Sequence, residues 1–438
     1  MQYSFNTTLK TYLYALLSSL GLCCLAFYYE PYVRTEVNPE QLKELARISH
    51  PIRTINPVDT NYQDLAFLKD KLKGVDMVML GEQSHGDGSA FLTKSRLIQF
   101  LHQEMDFDVL LFESGIYDCF NLWKELSETP NKLPNTFNRA LFYFWGASNE
   151  TKNLRTYIMQ HAQSARPLIL GGFDLQLSGA ISGLDRIQSM KLSLAKKNIL
   201  FEKDYPYFSK IMENYYQSTG EAASKAISEA HKNVVFNELN NLITRLTGHQ
   251  QTNEDKILSR YLLGIKTQLH YEWTHHDNVD KRMAIRDSMM AANTIWLKEH
   301  FYKNKKIILW AANTHITCNS KNFINPHKRD KKMGDYLKEK YGSACYGVNF
   351  TSHSGKKYHM MDGKVFQVNE SMDCSIESML HTTGNPLAFI DLRSISKNSF
   401  LNKKITMKLW FYYNETETWR KMTDGIFFID QMKPITFN

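Results

Sequence analysis

Apolar residues fall along this chain in short, dense runs that stop abruptly at polar residues. Val75-Asp76-Met77-Val78-Met79-Leu80 ends at Gly81, and Asp108–Phe112 ends at Glu113. Pro167–Phe173 ends at Asp174, Lys306–Ala311 ends near Asn313, and Ala344–Phe350 closes the series. Runs of this length bounded by turn residues predict buried strands. After the first run, Phe91, Leu92, Leu97, Ile98 and Leu101 recur at helical spacing, which predicts a helix over about Gly88–Gln103. Strands alternating with helices predict an α/β fold with a mostly parallel central sheet flanked by helices. In such sheets ligands bind beyond the carboxyl ends of the strands. Glu82, His85, Glu113, Asp174 and His315 all stand at such ends.

The pattern changes between residues 178 and 301. There the chain is helical in character, with Pro206 as its one proline, and reads as a large helical insertion. The insertion divides the α/β domain into a first part, residues 61–177, and a second part, residues 302–438. After Lys357 the apolar runs are shorter, as in Leu387–Asp391 and Leu409–Tyr413, and read as further strands. Residues 31–60 carry Pro31, Pro39, Pro51 and Pro57 and read as a linker with one short helix near Pro39–Ile48.

The N-terminus is of a different kind. From Tyr12 to Tyr29 no residue is charged, and Lys10 precedes the run. Eighteen such residues reach the lower limit for a membrane-spanning helix. Tyr28 and Tyr29 suit a membrane–water interface. Residues 1–30 are therefore expected to be a signal anchor, making the protein membrane-anchored and extracytoplasmic. Read as a cleaved signal peptide, the same segment makes it secreted.

Hydrophobic residues make up 43% of the 438 and charged residues 22%, ample for a large core and against global disorder. The net charge of +8 is spread along the chain rather than gathered on one segment, so no nucleic-acid partner is expected. The six cysteines have no C-x-x-C spacing, which argues against a zinc site or a disulfide framework.

Gly81-Glu82-Gln83-Ser84-His85-Gly86-Asp87-Gly88 is the densest polar cluster. Its glycines let the backbone turn sharply and a ligand come close. A histidine held by a carboxylate has a fixed tautomer and raised basicity, which suits a general base for water. His85 is the candidate base and Glu82 its neighbour. Glu113 is placed to orient that histidine or to share the water. The competing reading is a turn that only caps the next helix through Asp87 or Ser89. Ser114 lies in Glu113-Ser114-Gly115, which is not a nucleophile elbow. Cys318 reads as packing.

Further residues now form a series. Gly81-Glu82-x-x-His85-Gly86 is followed by Lys94, Arg96, Leu97, Ile98 and Leu101, then by Phe112-Glu113 and by Trp145 with Glu150. Next come Gly172-Phe173-Asp174-Leu175-Gln176, then Arg286-Asp287 with Met290, Asn293 and Trp296, then Asn313 and His315, then Met333-Gly334-Tyr336-Leu337. In this order the series resembles the erythromycin esterase family over roughly residues 60–355. The resemblance implies ester or lactone hydrolysis without a serine nucleophile, with His85 as base and with Glu82, Glu113 and Arg96 lining one cleft. It implies no obligatory cofactor and leaves metal involvement open. Arg96, His315, Asp174 and Arg286 are the residues expected to bind substrate, a small ester or lactone. Asp174 also suits capping a helix or bonding Arg286, and Arg286-Asp287 reads as a structural ion pair.

One position departs from the family pattern. Its macrolide-hydrolysing members carry H-N-x-H, and here the first histidine is Ala312. An alanine neither donates a proton nor stabilises an oxyanion. His275 and His276 read as surface histidines, and Tyr271 and Trp273 as packing or as cleft lining. Two alternatives therefore stand beside the hydrolase: a binding protein that kept the cleft, and an enzyme modifying envelope polysaccharide or lipid.

Overall fold

Each of the five long apolar runs between residues 75 and 350 becomes a strand. The computed structural model describes residues 38–129, 136–180, 183–199, 210–211, 221–248, 252–360 and 362–437. Its strands are β1 (Ser49–Pro51), β2 (Met77–Leu80), β3 (Val109–Gly115), β4 (Ile169–Asp174), β5 (Ile307–Trp310) and β6 (Cys345–His359). They continue with β7 (Lys364–Val368), β8 (Leu387–Asp391), β9 (Ile405–Lys408), β10 (Asn414–Glu417) and β11 (Gly425–Met432). Nine of them form one sheet along the path β1-β8-β11-β6-β2-β5-β3-β4, with β7 paired to β6. The run from β11 to β4 is parallel throughout. The antiparallel pairs are β1 with β8, β8 with β11, and β7 with β6.

Register brings the polar ends of the central strands into line. Leu80 pairs with Trp310 and Val348, and Trp310 pairs with Phe112. The residues that follow, Glu82, Ala311 and Glu113, therefore share one edge. Between Phe112 and Gly115 the pairing of β3 with β4 shifts register, a bulge that re-aims the side chains of Glu113 and Ser114.

Alternation along the strands divides the core. Val78, Leu80, Leu110, Phe112, Ile308 and Trp310 face one layer with the helix Gly88–Met105. Met77, Met79, Val109, Leu111, Ile307 and Leu309 face the other. That second layer holds the helices Glu229–Gly248, Asn253–Thr274 and Val279–Trp296, so the expected insertion packs on one face of the sheet. A third apolar cluster gathers the C-terminal elements around Ile376, Ile390, Trp419 and Phe428.

Three expectations are corrected. Residues 38–60 are built into the fold rather than spanning it as a linker. The expected helix Pro39–Ile48 forms, capped by Asn38, but the next residues, Ser49–Pro51, add an edge strand to β8. Leu409–Tyr413 is a turn, not a strand, because Phe411 and Tyr412 both take positive φ and so break the extended backbone. The membrane anchor is not upheld either. Among the described residues no helix is long and apolar enough to cross a membrane. The segment Tyr12–Tyr29, which suggested the anchor, lies outside the described residues.

Candidate active site

The turn after β2 is pressed between neighbouring backbones. A Cβ on Gly81 would lie 2.0 Å from Asn313 Oδ1, and one on Gly86 would lie 1.8 Å from the Tyr358 carbonyl oxygen. Only glycine allows both approaches. They force Glu82 inward and leave His85 at the rim. Glu82 is fully buried and accepts three hydrogen bonds, from His85 Nδ1 at 2.7 Å, Lys94 Nζ at 2.6 Å and Trp145 Nε1 at 3.3 Å. The His85 side chain keeps 22% of its surface open. Phe142 and Trp145 meet its ring edge-on at centroid distances of 5.5 and 5.3 Å.

Two buried groups next to this turn are shifted. Burial lowers the Lys94 ammonium to about 8, although Glu82 opposes it. Lys94 also lies 4.1 Å from the centre of the Trp310 ring. Burial raises Asp87 to about 7, against the bonds it accepts from Tyr412 Oη at 2.6 Å and from the Ser84 amide at 2.9 Å. Asp87 thus precedes the helix Gly88–Met105, but its carboxylate is spent on the turn and on Tyr412 rather than on the helix amides.

A second cluster forms around Glu113. Arg286 donates to Glu113 Oε1 at 2.8 Å and to Asp174 at 2.5 and 3.2 Å. His315 reaches Asp287 through Nδ1 at 2.7 Å and Glu113 through Nε2 at 3.2 Å. The Ala312 amide donates to the other Glu113 oxygen at 3.0 Å. Burial would lower His315, but Glu113 and Asp287 outweigh it and raise the imidazole to about 9. Burial would raise Glu113, but His315 and Arg286 hold it well below the ordinary carboxylate range.

Arg286 Nη1 also lies 3.2 Å from His315 Nε2, a contact that is a hydrogen bond only if the imidazole is neutral. Three carboxylates face one guanidinium here, so a protonated ring leaves the smaller uncompensated charge. We therefore take His315 as the cation, donating to Glu113 and Asp287.

The sheet edge brings together Glu82, His85, Glu113, Asp174, Arg286 and His315. Arg96 is elsewhere. Its guanidinium is bidentate to Asp64 at 2.8 and 2.7 Å and donates to the carbonyls of Thr54 and Asn61 at 2.9 and 2.7 Å. It fastens residues 54–64 to the helix and has no place in the cleft. Lys94 takes the inward position instead, since residues two apart on a helix point roughly 200° apart. The signal was available: Phe91, Lys94, Ile98 and Leu101 share one stripe, and a lysine on an apolar stripe needs a carboxylate. Arg286 and Asp287 are not paired with each other; one holds Asp174 and Glu113, the other His315. Tyr271 and Trp273 are buried in the insertion, and His275 and His276 follow its helix Asn253–Thr274. Cys318 is packed, with its thiol raised by burial to about 12.

Two cavities of about 300 and 330 Å³ lie away from this chemistry, one beside Tyr117, Asp118 and Glu125, the other beside Ile55, Leu92 and Lys433. Neither is lined by His85 or Glu113, so the hydrogen bonds rather than cavity size mark the site. Among the described residues no three His, Cys, Asp or Glu side chains converge to hold a metal ion.

Known proteins match most of the chain. "Putative hydrolase YbfO" of Bacillus subtilis (strain 168) is 25% identical over 405 residues, covering 87% of this chain and 90% of its own. "Erythromycin esterase type II" of Escherichia coli is 22% identical, covering 89% of this chain and 98% of its own. A Bacillus cereus crystal structure superposes with a TM-score of 0.74 at 19% identity, over 93% of this chain and all of that one. A solved succinoglycan biosynthesis protein gives 0.73 at 17% identity, over 91% and 98%. A histidine-to-asparagine mutant of an erythromycin esterase, in its open conformation, gives 0.67 at 16%, over 88% and 98%. The erythromycin esterase family profile matches residues 102–432, a span that holds Glu113, Asp174, Arg286 and His315, and the chain therefore belongs to the erythromycin esterase family.

Proposed function

We propose that this protein is a hydrolase that opens an ester or lactone bond with water activated by His85. The observation that carries the reading is the 2.7 Å bond between His85 Nδ1 and the buried Glu82. It fixes the tautomer with the proton on Nδ1, so the lone pair on Nε2 is left for water. Lys94 and Trp145 hold Glu82 in turn, so the ring is positioned through two layers of contacts. The exposed part of the ring, 22% of the side chain, gives solvent and substrate access.

In this mechanism Nε2 takes a proton from water as the oxygen attacks the carbonyl carbon. The new C–O bond forms, the ester C–O bond breaks, and the proton passes from Nε2 to the departing alkoxide. Glu113 faces the same edge. Asp174, Arg286 and His315 are buried, with Arg286 held by Asp174 and Glu113 and His315 by Asp287 and Glu113, so they set the position of Glu113 rather than grip the substrate. Names of the relatives, a hydrolase and an erythromycin esterase, support the reaction class.

The test is hydrolysis of a panel of short esters and lactones by the parent and by His85→Ala. The parent should turn over at least one substrate, faster at neutral than at acidic pH, because only the neutral ring accepts a proton. Equal rates in the two proteins would end the proposal.

A further inference from the structure

The hairpin of β9 and β10 ends in a tip with an unusual backbone. Phe411 has φ 48° and Tyr412 φ 69°, two adjacent non-glycine residues in the left-handed region. L side chains adopt it reluctantly, and runs of it are rare outside glycine. Such strain persists only where surrounding contacts over-determine it, and it gathers at functional sites.

The contacts here are specific, and three of the tip's hydrogen bonds run to the candidate active site. The Phe411 amide donates to the Gln83 carbonyl at 3.0 Å, two residues before His85. The Tyr412 hydroxyl donates to Asp87 at 2.6 Å, two residues after it. Asn313, in the turn that carries His315, donates to the Leu409 carbonyl at 3.3 Å. Lys357 lies 4.9 Å from the centre of the Tyr412 ring and packs the tip from behind. The tip is thus fastened to the catalytic turn on both sides of His85.

What the fastening achieves is exposure. Tyr412 turns inward as the anchor, and its neighbours Phe411 and Tyr413 are left 50% and 55% open. Stability alone would favour the reverse, with polar residues or glycine at a hairpin tip and aromatic rings inside. Beside His85 stands a further aromatic ring, Phe142, 5.5 Å from the imidazole.

We propose that Phe411 and Tyr413 form a substrate platform that stacks a ring carried next to the ester bond, in its acyl or its alcohol part. The proposal rests on the hydrolase reading and narrows it to ring-bearing esters. Aromatic and sugar rings share the chemistry required, a flat apolar face set against a π-surface. The bonds from the Phe411 amide to Gln83 and from the Tyr412 hydroxyl to Asp87 would hold that face at a fixed distance from His85, so the scissile carbonyl meets the same water each time.

The experiment compares the full chain with Phe411→Ala/Tyr413→Ala on ethyl acetate, 4-nitrophenyl acetate and an acetylated methyl glucoside. Both side chains are half-exposed, so the melting temperature should be retained. KM for a ring-bearing ester should rise roughly 2–12-fold, the worth of one stacking contact, with kcat held and ethyl acetate unaffected. Which ring ester responds distinguishes an aromatic from a sugar ring. Unchanged KM values, or an equal loss on ethyl acetate, would overturn the platform. If the parent hydrolyses none of the three, that result bears on the hydrolase reading and not on the platform. The platform is then judged by saturation-transfer NMR with acetanilide and methyl glucoside. Binding to the parent that is lost in the double variant supports it, and no binding to the parent overturns it.

Discussion

His85 and His315 begin alike. Each offers Nδ1 to a buried carboxylate at 2.7 Å, His85 to Glu82 and His315 to Asp287. They differ at the other nitrogen. The His315 side chain is 3% open and its Nε2 meets Glu113, which is itself held by Arg286. The His85 side chain is 22% open and stands among aromatic edges. An imidazole between two carboxylates is locked as a cation and serves as a fixed charge. An imidazole with one carboxylate and one open face can exchange a proton with water. The same pair of groups therefore gives a scaffold in one place and a candidate base in the other.

The contrast is broken most severely through the sealed cluster. Arg286→Met leaves Glu113 and Asp174 buried beside fewer countercharges and should cost about 3–5 kcal/mol of stability. Urea denaturation would measure it, and a loss under about 1 kcal/mol would show that the guanidinium is not what holds the cluster. On the open side the cost should fall on rate. His85→Ala is expected to lower kcat by roughly 10²–10⁴-fold while the denaturation midpoint stays near that of the parent. A variant that unfolds instead would place His85 in the scaffold with His315.

Acidity separates the two histidines more gently. The folded-state pKa of His315, about 9, stands above its ordinary 6.5. Its contribution to stability is therefore fully present below about pH 6.5 and is lost as pH rises through about 9. Asp287→Asn removes one carboxylate that raises it, and should shrink this alkaline loss in thermal melts across that window. A parent whose melting temperature is flat over the same window would contradict a protonated His315. The smallest effect is expected at Ala312, whose amide binds Glu113 and whose side chain is only partly buried. Ala312→His should raise hydrolysis of a lactone, as steady-state rates would show. No gain would mean that this one position does not separate the chain from macrolide-hydrolysing relatives.

The strand ends were legible because burial on both faces writes itself as an uninterrupted apolar run, and three of these runs stop within two residues of Glu82, Glu113 and Asp174. Glu82, His85 and Glu113 could be read in this way, and so could the pairing of Asp174 with Arg286. Arg96 and Lys94 were not separable by charge alone, since both are buried cations on one helix and only their direction around its axis distinguishes them. The split of Arg286 from Asp287 was hidden for a similar reason: neighbours in a helix point apart, so each finds a partner from another element. Tyr412 was beyond reach. Its bond to Asp87 joins residues more than three hundred positions apart, and Leu409–Tyr413 has the composition of a strand while its backbone makes a turn.

The placing of β2 has a consequence for how the molecule comes into being. Both of its partners come late: Met77 pairs with Ile307 and with Cys345, about 230 and 270 residues downstream. By contrast β3 and β4 can pair as soon as residue 174 is made. During synthesis the segment Met77–Leu80, buried on every side in the finished protein, must wait without either neighbour while the whole helical insertion is translated. The turn after it waits longer still, because the Ile435 amide, which bonds the Gly86 carbonyl at 3.1 Å, lies about 350 residues downstream. Pairings this distant are slow and leave apolar edges open to other chains. The turn that carries His85 is thus made well before it can be fastened, and a chain cut before Ile435 keeps most of the sheet and loses one hydrogen bond of that turn.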